Sequence, residues 1–239
     1  KEYRRQRQMC IRDSIYYSLD DFPNAIKAYR KVVDGAGTPP EVKLDTRYTL
    51  AQLYASEEDY PNAAVQLEAW LAEATIIGAD QRYFLAQIYY QLDRKRDALN
   101  MVELAISDVE SRGILPKERY WGLQRVLYYE KNDYPTVISI LEKLVKHYPK
   151  WSYWKQLGGM YGEREREMDR LVATELVYLN DELKKESEVM SMAYMYLGAE
   201  VPYRAAKIID GGMQDGIVER SAKNLSLIHI SEPTRRRGI

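Results

Sequence analysis

Apolar residues recur at helical spacing along most of the chain. In "TRYTLAQLYA" Tyr48, Leu50, Leu53 and Tyr54 share one side, and in "NAAVQLEAWLAEA" Ala63, Leu67, Trp70 and Leu71 share another. Short punctuation separates such runs, and one phrase returns: Asp21-Phe22-Pro23, Asp59-Tyr60-Pro61 and Asp133-Tyr134-Pro135. Proline fits the first turn of a helix, where its missing N–H would have had no intrahelical acceptor. A preceding Asp favours the positive helix end by roughly 0.3–1 kcal/mol. Each phrase therefore predicts the start of a second helix after a short turn, and Val201-Pro202 does the same one position earlier.

A second marker lies upstream of each phrase, a tyrosine nine residues before a small residue: Tyr16 and Ala25, Tyr54 and Ala63, Tyr89 and Ala98, Tyr128 and Val137, Tyr196 and Ala205. Tyr161 keeps the spacing, although Arg170 stands where the small residue belongs. The intervals between these tyrosines are 38, 35, 39, 33 and 35 residues, a period that signals stacked repeats. Each unit reads as a helical hairpin. The small residue lets its two helices approach, and the tyrosine packs across the contact, a structural role for Tyr16, Tyr54, Tyr89, Tyr128, Tyr161 and Tyr196.

The clearest unit, "WKQLGGMYGE", resembles the tetratricopeptide repeat (TPR), with Trp154, Leu157, Gly158 and Tyr161 on its W, L, G and Y positions. Trp121, Tyr128 and Pro149 match W, Y and the unit-ending P. Ala51, Ala86 and Ala193 replace the usual Gly, while Arg125 and Arg170 depart from the pattern and weaken the expectation of a hairpin there. The resemblance covers nearly all of residues 14–224. It implies an all-α fold, a right-handed superhelical solenoid of about six TPR-like hairpins, each burying its apolar face against its neighbours.

The termini read differently. Met9 to Asp13 and Leu225 to Ile230 can be encoded by one short DNA read on opposite strands, which resembles translated sequencing adapter. Residues 1–13 and 225–239 are therefore expected to be non-native and are set aside from the repeat array. The remaining array carries 27 Lys and Arg against 33 Asp and Glu, a charge of −6, which argues against a nucleic-acid partner. Cys10 and His229 fall in the excluded ends, so the array has no cysteine and a single histidine, His147. That removes disulfides and cysteine-based metal or redox sites. No apolar run is long enough to span a membrane.

In a TPR solenoid the first helices line a concave groove, and the positions one residue after the L, G and Y landmarks, or three before G, point into it. Carried onto this chain, the resemblance selects Tyr48, Gln52, Tyr83, Gln87, Tyr90, Val126, Tyr129, Lys155, Met190 and Tyr194 as a partner-binding face. Tyrosine offers large contact area at low rotamer cost plus a hydroxyl, which suits an extended peptide or a helix. The same tyrosines could instead complete packing between repeats. Only Lys155 among them is basic, which argues against the clamp that holds chaperone C-terminal carboxylates. No catalytic residue, metal site or cofactor is expected. His147, in the last turn of a second helix, lacks the companion ligands of a metal or triad. Gly211-Gly212 reads as a helix stop instead of a phosphate loop, "GEREREMDR" as a solvated turn with opposite charges three or four apart, and Gly35 to Pro40 as a loop within the array.

A narrower resemblance lies in the last two units, "YWKQLGGMYGE" followed by "KESEVMSMAYMYLGAEVPYRAAKIIDGGMQDGIVE". It is similar to periplasmic TPR proteins encoded beside TonB/ExbB/ExbD systems of Gram-negative bacteria, which are longer at both ends. This implies an exported, non-enzymatic interaction scaffold that assists TonB-dependent uptake and binds a protein or peptide. The alternative is a TPR module of an unrelated enzyme or envelope-assembly complex.

Overall fold

A computed structural model describes residues 21–231, and within them the chain is helical with no strand. The helices are α1 Phe22–Asp34, α2 Pro40–Ser56, α3 Tyr60–Glu73, α4 Ala79–Gln91, α5 Lys95–Ser111, α6 Glu118–Glu130, α7 Tyr134–His147, α8 Trp151–Glu163, α9 Glu167–Tyr178, α10 Glu186–Gly198, α11 Pro202–Gln214 and α12 Ala222–Ser231. Two compact units divide at Leu127/Tyr128. In the first, α2 pairs with α3 and α4 with α5, while α1 packs on α2 and α3 on α4. In the second, α8 pairs with α9 and α10 with α11, with α7 on α8, α9 on α10 and α12 on α11. Each unit is thus a stack of antiparallel hairpins.

Among the described residues one backbone device makes the five turns from a first to a second helix. Four residues after each landmark tyrosine the chain enters the left-handed region, at Glu58, Asp93, Asn132, Glu165 and Glu200, with φ between 56° and 59°. None is glycine, so each conformation has a steric cost. It is offset because the next amide then closes the helix on the tyrosine's own carbonyl. The N–H groups of Asp59, Arg94, Asp133, Arg166 and Val201 reach the carbonyls of Tyr54, Tyr89, Tyr128, Tyr161 and Tyr196 at 2.8–3.0 Å.

The same residue caps the second helix. Asp21, Asp59 and Asp133 accept from the amides of Asn24, Asn62 and Thr136 at 3.3–3.4 Å and from those residues' side chains at 2.7–2.9 Å. Where the cap is Arg94 or Arg166 the charges are exchanged: the acid moves three residues on, and Asp97 and Asp169 accept from the guanidinium Nε at 2.8 and 2.7 Å. The recurring phrase is therefore a helix start, as expected, with proline in its first turn.

The small positions are closed off: Ala25, Ala63, Ala98, Val137 and Ala205 are 0–1% exposed, and Tyr54, Tyr89, Tyr161 and Tyr196 are buried. Tyr128 is half-buried. Arg170 does not break its hairpin, because glycine faces it: a Cβ on Gly162 would lie 3.2–3.3 Å from the Arg170 side chain. The expected helix stop at Gly211-Gly212 is corrected. Helix α11 runs through both, and Gly212 is there because a Cβ would lie 2.6 Å from Val218 Cγ2 and 3.1 Å from Val189 Cγ1. The left-handed stop comes at Gly216, φ 73°. "GEREREMDR" is a turn and helix start with Arg166–Asp169 and Glu167–Arg170 pairs, and His147 ends α7, both as read from the sequence. Residues 1–13 and Tyr16 lie outside the described residues. In the C-terminal segment set aside above, residues 225–231 lie in α12, where Leu227 and Ile228 pack against the core of the second unit.

Candidate partner-binding cleft

In the first unit the predicted face is largely consumed by packing between repeats. Tyr48 is half-buried, its ring 5.0 Å from Trp70 and 6.2 Å from Phe84. Tyr83 is only 9% exposed, its ring 4.9 Å from Tyr120, so it offers a partner little surface. Gln52 and Gln87 are exposed, and Tyr90 and Val126 are half-buried.

An ionic cluster lies beside Tyr83. Asp80, in the first turn of α4, accepts from Lys117 Nζ at 2.6 and 2.9 Å, from the Tyr120 hydroxyl at 2.6 Å and from Arg119. Burial would raise its carboxyl, but the donors of Lys117, Tyr120 and Arg119 outweigh that and hold it at about 2. The Tyr120 hydroxyl is pushed up to about 12 by burial and by Asp80. This cluster ties the start of α6 to α4.

In the second unit Tyr129 is 50% exposed beside Tyr134. The structure brings Lys155, Met190 and Tyr194 together around a cleft between α8, α9 and α10, and none of the other predicted residues joins it. Two cavities make up the cleft and share Arg170, Ser187, Ser191 and Met195. The larger, about 710 Å³, is walled mainly by Met168, Leu171, Met190, Met195 and Tyr194. The smaller, about 260 Å³, has Lys155, Arg170, Glu188 and Thr174 around the bare backbone of Gly158 and Gly159. Met190 is only 9% exposed and serves as floor, whereas Tyr194 at 46% stands at the edge.

Small residues open this space. A Cβ on Gly159 would meet nothing within 4 Å, and Ser187 and Ser191 face it from α10. The cleft's polar end is ordered from α10: Glu188 Oε2 accepts from the amides of Lys184 and Lys185 at 3.0 and 3.2 Å, and its Oε1 accepts from Lys155 Nζ at 3.3 Å. Burial raises the Glu188 carboxyl, but Lys155 and the two amides outweigh it and lower its pKa. Sequence reasoning missed Arg170, Gly159 and Ser191. The available signal was an Arg on a small-residue position opposite "GGMYG", a large-for-small exchange across one hairpin.

No family model matches the chain, and no curated protein matches it in sequence. Its fold does have solved counterparts. The crystal structure of MamA is similar at TM-score 0.55 and 18% identity, over 67% of this chain and 89% of that one. YrrB, whose structure is described as "a TPR protein with an unusual peptide-binding site", matches at TM-score 0.53 and 16% identity, over 68% of this chain and 79% of that one. The fold is that of the TPR proteins. A chain in the structure of Naa15/Naa10 bound to HypK-THB also matches, at TM-score 0.60 and 11% identity, over 95% of this chain but 34% of its own. Among the described residues no helix is long and apolar enough to cross a membrane, and no group of three or more His, Cys, Asp and Glu is placed to hold a metal. The all-α stack of TPR-like hairpins expected from the sequence is therefore present.

Proposed function

We propose that the chain is a non-catalytic scaffold that receives a protein partner on its first-helix faces, with the α8–α10 cleft as the main docking site. The observation that carries this reading is the cleft itself: an apolar, thioether-walled space of about 710 Å³ with a polar end, within the size range of ligand sites. A stack of hairpins offers surface as its chemistry, and methionine suits surfaces that must adapt to a partner. The peptide-binding site named for YrrB supports the same use of this fold.

The finer reading places the protein in the periplasm of a Gram-negative bacterium, as an accessory of TonB-dependent energy transduction. Its support is the resemblance in the last two units. The test is photocrosslinking from Tyr90, Tyr129 and Tyr194 in Gram-negative cells that make the protein, together with cell fractionation. Recovery from the periplasm with a crosslink to a TonB-system component or receptor supports the finer reading. Crosslinks only to other proteins remove the TonB assignment and leave the scaffold, and no crosslink from any of the positions removes both.

A further inference from the structure

We infer that the cleft recognises an internal peptide segment in which a large apolar side chain neighbours an Asp or Glu side chain. This rests on the scaffold reading and specifies its partner. The larger cavity takes the apolar group: Met190 and Leu171 form its floor, and Met168, 66% exposed at its mouth, can fold over what enters.

The carboxylate belongs in the smaller cavity, beside a cation whose own acid is loosely held. Lys155 and Arg170 line it against one acid, Glu188. Two backbone amides and Lys155 already hold Glu188, so its charge is committed to Lys155. Among the described residues Arg170 has its ion pair with Glu167, one turn back on its own helix, at 3.6 Å, and the Glu167 side chain is 62% exposed. That loose pair leaves the guanidinium fork able to take an incoming carboxylate through two parallel N–H donors. Ser187 and Ser191 add hydroxyls on the opposite wall, and Gly159 leaves the approach clear. The exposed Glu167 can give way to one incoming carboxylate on Arg170, whereas two acids beside two cations disfavour a run of phosphates. Arg170 thus turns a departure from the repeat pattern into a specificity element.

The experiment is fluorescence anisotropy on the whole chain with C-terminally amidated peptides carrying Phe-Glu or Leu-Glu, set against Phe-Gln and Leu-Gln controls and the free-acid form of each control. The expected result is binding of the Glu peptides that falls about tenfold or more both in the Gln peptides and in Arg170→Gln, the size of one charge-assisted pair. Gly159→Trp, which leaves Arg170 in place but fills the approach, should also abolish binding while its circular dichroism stays that of the parent. Equal affinity for Glu and Gln peptides overturns the inference, as does binding by free-acid controls alone, which would mean chain-end recognition. Failure of every peptide overturns it too, while the scaffold reading falls only on its own crosslinking test.

Discussion

The Tyr89 hydroxyl donates to Glu68 Oε1 at 2.8 Å, joining the first helix of one hairpin to the second helix of the hairpin before it. Arg94 completes the contact, with its guanidinium 4.0 Å over the Tyr89 ring and its NH1 3.0 Å from the same carboxylate oxygen. Tyr161 repeats it with Glu142 at 3.0 Å and Arg166 at 4.3 Å over the ring. Burial and the acceptor carboxylate push both hydroxyls up to about 12, so they remain donors at any ordinary pH. In a stacked array, stability lies in such nearest-neighbour contacts. Tyr89→Phe should cost about 1 kcal/mol, one hydrogen bond whose acceptor keeps water and Arg94, whereas Tyr89→Ala should cost about 3 kcal/mol or more through the cavity left. Urea unfolding of the two variants measures the difference, and equal costs would mean that the hydroxyl carries the contact.

Two glycines of the second unit should respond with opposite sign. A Cβ on Gly158 would lie 3.4 Å from Thr174 Oγ1, ordinary contact, and other repeats place Ala51, Ala86 and Ala193 at this position. Gly158→Ala should therefore be neutral or stabilise by up to about 1 kcal/mol through helix propensity. Gly212→Ala drives a methyl into Val218 and Val189 and should destabilise by about 1–3 kcal/mol. Thermal unfolding of the pair checks the signs.

What was legible in the sequence was whatever each repeat states again. Tyr54 and Ala63, Tyr89 and Ala98, and Tyr196 and Ala205 report one contact each, so spacing alone located the hairpins and their turns. The candidate cleft lies where the repeats differ. Tyr48 and Tyr83 hold groove positions by counting, yet Trp70 and Tyr120 happen to be large enough to cover them, and counting along one helix does not see a neighbour's size. Gly211-Gly212 was misread for the same reason, since Val218 and Val189 are what demand a glycine there. Arg170 reads as an error in the pattern until Gly162 is seen opposite it.

Asp80 predicts an acid limb. Its folded pKa, about 2, lies below its ordinary value of 3.8, so its contribution to stability is complete above about pH 4 and is lost as pH falls toward 2. The side chain is 46% exposed, so solvent screening reduces the effect. The stability difference between the parent and Asp80→Asn should be largest at neutral pH and shrink between pH 4 and pH 2. Denaturant titrations at several pH values follow it, and a difference that stays constant across that range would show the cluster to be energetically idle.

The exposed tyrosines of the second unit should separate binding from folding. Tyr129 and Tyr194 are 50% and 46% exposed, so truncating either removes little buried area. Tyr83, at 9%, supports Tyr120 and sits 5.1 Å beneath the Arg119 guanidinium. Tyr129→Ala and Tyr194→Ala should leave helical content unchanged and shift stability by no more than about 0.5 kcal/mol, whereas Tyr83→Ala should destabilise by about 2 kcal/mol or more. Partner capture gives the second readout. Tyr194→Ala alters the wall of the methionine-lined cavity and should weaken capture most, since an aromatic at the edge of a docking site excludes water from the contacts inside. Capture that survives Tyr194→Ala but fails with Tyr129→Ala would move the docking site away from the α8–α10 cleft and toward the start of the second unit.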